Sequence, residues 1–171
     1  FALIRPGFFS DVYGEELEEV FRALAKDRNG KFTNYCEGKL GLEYLRQSER
    51  TLAKLRALVE QQPGSDVLIS PAQFGIHYRG CSVHWACERF VPREYGPGAK
   101  NIGTMLLTNP IRLQHWNDLW IDCARDEYAP GADGRFGGAP CFRFRVSGVE
   151  FALWVGSANG RYGSASAFLP Q

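Results

Sequence analysis

The chain has no excess of charge of either sign: 20 Lys and Arg stand against 19 Asp and Glu in 171 residues. That balance provides no bulk field to draw in nucleic acid or an anionic membrane, and leaves only local patches for such partners. Its five cysteines, Cys36, Cys81, Cys87, Cys123 and Cys141, include no Cys-x-x-Cys and are odd in number. Neither a zinc ribbon nor a disulfide framework is therefore expected, and a reducing, cytoplasmic setting is the simpler reading. No apolar run reaches the length of a membrane span, and the apolar start is broken by Arg5, Pro6 and Gly7. Internal repeats, low-complexity tracts and any complete catalytic signature are also missing. What remains is an ordinary globular composition, 44% apolar and 23% charged. The length suits a single domain over residues 1–171, with a helical part at about 10–62 and a mainly sheet part at about 65–169.

The most informative stretch is Cys141 to Val155. Two alternating segments, Cys-Phe-Arg-Phe-Arg-Val and Val-Glu-Phe-Ala-Leu-Trp-Val, flank Ser147-Gly148, a two-residue loop suited to a β-hairpin. That loop sets Val146 opposite Val149, Arg145 opposite Glu150 and Phe144 opposite Phe151. Phe142, Phe144, Val146, Val149, Phe151, Leu153 and Val155 then share an apolar face, with Arg143, Arg145, Glu150 and Trp154 on the other.

Leu17, Val20, Phe21 and Leu24 keep i, i+3, i+4, i+7 spacing and predict a helix from about Gly14 to Arg28, acidic at its start and stopped by Gly30. Leu45, Leu52, Leu55 and Val59 predict a second helix from about Leu40 to Gln61, with Arg46, Glu49, Arg50, Lys54 and Arg56 on its charged face. Beyond Pro63-Gly64 the chain reads as strands, at 66–70, 102–107, 119–124 and 164–169, with short helices at Ser82–Phe90 and after Asn109-Pro110 along Ile111, Leu113 and Trp116. Residues 129–140 form a long loop rich in Gly, Ala and Pro. The expected fold is α+β: two N-terminal helices packed on a mostly antiparallel sheet, with one or two short inserted helices.

Chemistry-bearing residues gather in two places. Asp122, Asp126 and Glu127 lie where a strand runs into the long loop. If that strand continues, Asp122 and Asp126 share a face, where paired carboxylates hold a cation or serve as general acid and base. Asp133 could reach back to them. His77, Arg79, Cys81, His84 and Cys87 fall within eleven residues, a set with soft-ligand chemistry but poor metal spacing. Arg79, Gly80, Cys81 and Ser82 at the start of a helix, with Arg89 and Arg93 downstream, form a candidate anion site. Arg143, Arg145 and Trp154 on the hairpin's polar face have the chemistry of surfaces that stack unpaired bases, weakened by Glu150. The four tryptophans, Trp85, Trp116, Trp120 and Trp154, first supply core area.

The leading functional expectation is a cytosolic binding or interaction module that recognises a protein partner or a small anionic ligand, the latter through Arg79, Ser82, Arg89 and Arg93. Exposure of Trp120, Trp154 or Phe136 would favour the protein partner. The alternative is a hydrolytic or metal-assisted enzyme using Asp122, Asp126 or Glu127 with His77 or His84. Nucleic-acid binding through Arg46, Arg50, Lys54, Arg143 and Arg145 ranks third and requires those cations to share a surface. No membrane association, cofactor or metal identity is implied.

Overall fold

Alternation of apolar and charged residues on either side of residue 147 produces an antiparallel hairpin of Ala139–Arg145 with Gly148–Trp154 in a computed structural model of the chain. The structure describes residues 1–146, 148–154 and 156–171, Trp154 by its backbone alone. Arg145 pairs with Gly148, Arg143 with Glu150 and Phe142 with Phe151, a register offset by two from the one the Ser147-Gly148 loop implied. The chain turns one pair earlier, through Val146, whose φ of 47° is left-handed and whose side chain is exposed. An even offset leaves the paired side chains that are described on their expected faces. Of the residues assigned to this hairpin, Ser147 and Val155 lie outside the described ones.

The fold is α+β. Its strands and helices in chain order are β1 (Ala2–Ile4), α1 (Tyr13–Asp27), β2 (Phe32–Asn34), β3 (Leu45–Gln47), α2 (Glu49–Gln61), β4 (Val67–Ile69), β5 (Ala72–Gln73), α3 (Val83–Arg89), β6 (Glu94–Tyr95), α4 (Gly98–Thr108), β7 (Trp120–Asp122), β8 (Asp126–Tyr128), β9 and β10 (the hairpin), β11 (Tyr162–Ser164) and β12 (Ser166–Phe168). The main sheet has the order β11-β7-β9-β10-β2. It is mixed rather than mostly antiparallel, because β11 joins β7 and β2 joins β10 in parallel. The remaining sheets, β5-β12-β6, β1-β4 and β3-β8, are antiparallel.

The apolar face of the main sheet is closed by α1 and α4. Phe21 of α1 lies 4.7 Å from Phe151, 5.1 Å from Phe32 and 6.2 Å from Phe142, ring centre to ring centre. Gly103 of α4 lets the two helices meet, since a Cβ there would stand 2.5 Å from Val20 Cγ1. The far side of α4 packs through Met105 on Leu3, Leu58 and Leu68, and α2 packs through Leu55 on Tyr95 and Ala167. The two expected N-terminal helices therefore serve different layers, and α4, expected as a strand at 102–107, lies between them. A short apolar run is compatible with either a buried strand or a buried helix, and α4 is buried along almost its whole length.

Three further boundaries differ from the sequence reading. The second helix begins at Glu49 behind the Ser48 cap, whose hydroxyl accepts the Thr51 N–H, and Leu45 instead pairs with Tyr128 across β3 and β8. The stretch after Asn109-Pro110 forms turns instead of a helix. The last strand, β12, is central in its sheet instead of at an edge. The helix behind Ser82 forms as expected, with the Ser82 hydroxyl accepting the Trp85 N–H at 3.2 Å.

Phe21→Ala is expected to cost about 3–5 kcal/mol by urea denaturation, because it empties the centre of the aromatic layer. Ile111→Ala, at a residue that is 79% exposed, is expected to stay within about 0.5 kcal/mol. Equal effects would contradict this assignment of the core.

Candidate functional site

The three acidic candidates at 122–127 face three different surroundings. Strand β7 ends at Asp122, and the chain turns through Arg125, whose φ is 77°, before β8 begins. The continuous strand that would have aligned Asp122 with Asp126 is therefore broken between them. Asp122 is paired in register with Cys141 on one side and Ser164 on the other. It is fully buried, and among the described residues neither of its carboxyl oxygens, nor the Ser164 hydroxyl, has a hydrogen-bond partner. Burial alone pushes the carboxyl up to about 7, since a charge there has no compensating donor.

Asp126 is equally sealed, but one of its two carboxyl oxygens is engaged. Its Oδ2 accepts the Tyr13 hydroxyl at 2.7 Å and the Ala99 N–H at 2.6 Å, so it caps α4 from a strand distant in sequence. Burial raises it to about 7, with these hydrogen bonds pulling the other way. Gly98 makes room for this cap: its φ is +76°, and a Cβ there would lie 2.7 Å from Asp126 Oδ1. Glu127 points outward to Arg46, 2.7 Å away. Asp133 pairs with Arg135 at 3.7 Å on the exposed loop and does not reach back.

Of the histidines, His77 lines no cleft with these carboxylates among the described residues, whereas His84 shares one with Asp126 and Glu127. His77 is exposed and stands edge-on to Tyr78, and His84, with 85% of its side chain exposed, faces Glu88 at 3.2 Å. Among the described residues no three His, Cys, Asp or Glu side chains are placed to hold a metal ion. A cleft of about 230 Å³ does bring His84, Cys87, Arg125, Asp126, Glu127 and Phe136 to one lining. However, burial raises the Cys87 thiol, which suppresses the thiolate a nucleophile requires.

The expected anion site is also dispersed. Arg79 Nε donates to the Gly160 carbonyl at 2.9 Å, the Arg89 guanidinium lies 3.7 Å from the Trp85 ring centre, and Arg93 donates to the Leu169 and Pro170 carbonyls. Ser82 is occupied as a cap, and its helix has only seven residues. The basic residues near α2 are likewise engaged, Arg50 with the Phe90 carbonyl and Lys54 with the Pro92 carbonyl. Trp120 is nearly buried and Phe136 half-buried beneath Arg46, so neither is an exposed apolar patch; the Trp154 side chain lies outside what is described.

Convergence occurs instead on the second face of the main sheet. Tyr162 and Trp120 are register partners, and Arg143 and Glu150 are register partners on the adjoining strands. Trp120 meets Tyr162 edge-on at 5.0 Å and has the Arg143 guanidinium 5.8 Å from its ring centre. A row Tyr162, Trp120, Arg143, Glu150 thus crosses the sheet, and Arg143 Nε donates to Glu150 at 2.8 Å. Trp116 stands edge-on to Trp120 at 5.4 Å and is 43% exposed. The Arg161 guanidinium lies 4.6 Å and that of Arg145 5.9 Å from the Trp116 ring centre. Both arginines are exposed, and neither has a carboxylate partner among the described residues.

Sequence reading identified Arg143 and Arg145 but missed Trp116, taken as part of a helical stripe, and Arg161, placed in a flexible connector. Only the parallel pairing of β11 with β7 brings Arg161 next to Trp116, and no local spacing signals it. No protein-family model matches the chain, and comparison with curated proteins and with solved structures gives no match. Among the described residues no helix is long and apolar enough to cross a membrane.

With Asp122 and Asp126 both raised to about 7, they stay protonated when folded but ionise near pH 4 when unfolded. Their effect on stability is therefore most favourable below about pH 4 and is lost as pH rises towards 7, by about 1.4 kcal/mol per pH unit for each group. Asp122→Asn is expected to make this decline shallower by about that amount per unit. Parallel pH profiles of urea-unfolding free energy for wild type and variant would show the Asp122 carboxyl to be ionised in the fold.

Proposed function

We propose that this chain is a binding module for an anionic ligand, with Trp116, Arg145 and Arg161 as the docking face. The observation that carries this reading is the meeting of two uncompensated guanidinium groups on one exposed indole, while of the candidate acids and histidines only Asp126, Glu127 and His84 share a cleft, where Asp126 caps α4, Glu127 pairs with Arg46 and His84 faces Glu88. Catalysis requires its groups within hydrogen-bond or ligand distance in one cleft, whereas a binding face requires a shared surface. Arginine suits such a face because its planar fork both stacks on rings and donates in pairs to carboxylate or phosphate oxygens. Arg143, tied to Glu150, holds Trp120 as the floor on which Trp116 rests. The five unpaired cysteines, four of them buried, support a reducing compartment.

Inorganic polyphosphate tests this directly, because Trp116 provides the optical signal. Polyphosphate is expected to change tryptophan fluorescence saturably and less strongly as salt increases. Arg145→Glu with Arg161→Glu is expected to weaken it at least about tenfold while leaving the far-ultraviolet circular dichroism unchanged. Equal binding by a folded double variant would dismiss this face.

A further inference from the structure

Resting on the anionic-ligand reading above, we infer that the ligand is single-stranded nucleic acid, with an unpaired base stacked on Trp116 and its backbone continuing into the adjacent groove. That groove, of about 340 Å³, is lined by Arg28, Lys31, Gln114, His115 and Phe144, among others, and falls within the range of small-ligand pockets, roughly 300–1,000 Å³. The chain segment that supplies Gln114 and His115 to the groove supplies Trp116 as its next residue. Phe144, which lines the groove, is followed by Arg145, which faces Trp116. Groove and indole thus meet around one end of the main sheet.

Charge on this end favours an anion, though the chain as a whole is nearly neutral. Lys31, Arg145 and Arg161 have no ion-pair partner among the described residues. The nearby carboxylates are engaged: Asp27 lies 3.2 Å from Arg28, Glu150 is bound by Arg143, and Asp118 accepts the N–H groups of Gln114 and His115 at 2.7 and 3.0 Å. Glu150, which on sequence alone weakens this surface, is only 8% exposed. The cations distinguish an anion from a neutral ligand, and the rings distinguish among anions. An acidic peptide neutralises arginines but presents no π-face to Trp116. Duplex DNA hides its base faces inside the stack. An unpaired strand offers both a phosphate line and a flat ring, the combination that aromatic-plus-basic surfaces bind with little regard to sequence. His115 and Phe144 provide a second ring surface within the groove.

The experiment is fluorescence anisotropy with a labelled deoxythymidine oligonucleotide of about ten nucleotides, an abasic strand with the same phosphates, and poly-glutamate as competitor. The base-bearing strand is expected to bind roughly tenfold or more tighter than the abasic strand, as base-on-ring stacking provides, and poly-glutamate to compete poorly. Trp116→Ala is expected to remove the difference between the two strands, and Trp116→Phe, which keeps a ring, to restore most of it. Lys31→Glu is expected to weaken both strands alike and to flatten the salt dependence, as loss of a phosphate contact does. Equal affinity for the base-bearing and abasic strands would overturn this inference and leave the anionic face standing. Tighter capture of poly-glutamate would replace nucleic acid with an acidic protein. Failure of all three, together with polyphosphate, would remove both readings.

Discussion

The carboxyl of Asp126 is the constraint on which the packing of this chain depends. Helix α4 begins in the interior, where its first N–H groups cannot reach water, and the residue preceding it, Pro97, offers no side-chain cap. Asp126 supplies the acceptor from β8, and Tyr13 at the start of α1 completes the junction by donating to the same oxygen. One residue on, Lys100 reaches Glu16 at 2.8 Å in a buried ion pair and the Arg5 carbonyl at 3.1 Å. A polar seam thus fixes α1 against α4 at one end, and the close contact of Gly103 with Val20 fixes them further along. Buried polar groups carry a large penalty if any member loses its partner, so this seam specifies one arrangement of the two helices over the main sheet.

Local features were legible in the sequence, whereas features made by distant parts of the chain were not. The α1 stripe, the Ser82 cap and most of the two faces of the hairpin follow from periodicity and capping chemistry within a few residues; Val146, expected on the apolar face, lies exposed in the turn. The α4 run, Ile-Gly-Thr-Met-Leu-Leu, reads as a strand because its N-terminal signal lies in Asp126 rather than beside it. The second helix was extended too far because Leu45 fits helical spacing, although its burial is obtained by pairing with Tyr128. The hairpin register was two residues off because Val146, a β-branched residue seldom found in left-handed geometry, occupies the turn. The site followed the same division: Arg143 and Arg145 were visible from alternation, while Trp116 and Arg161 depend on a parallel strand pairing.

The two faces of the main sheet make different use of the same backbone. One is a dry aromatic layer under α1 and α4. The other carries two cross-strand rows. The inner row, Ser164, Asp122, Cys141 and Ala152, is sealed, and its burial pushes the Asp122 carboxyl up to about 7. The outer row, Tyr162, Trp120, Arg143 and Glu150, is tied by the Arg143–Glu150 pair and supports Trp116, Arg145 and Arg161 at the surface. A shift of one residue in any of these strands would exchange the rows' faces, so the firm register of the hairpin also governs where the cations emerge.

The parallel pairing of β11 with β7 affects the order of assembly. The strands of the hairpin are neighbours in sequence and pair without any other part of the chain, but Trp116 and Arg161 become neighbours only when a C-terminal strand returns to an edge formed much earlier in sequence. Contacts of such wide separation carry a loop-closure cost before any packing rewards them and are slow to form. The surface formed by Trp116 and Arg161 therefore belongs to the completed sheet, and a nascent chain that already contains the hairpin does not yet display it.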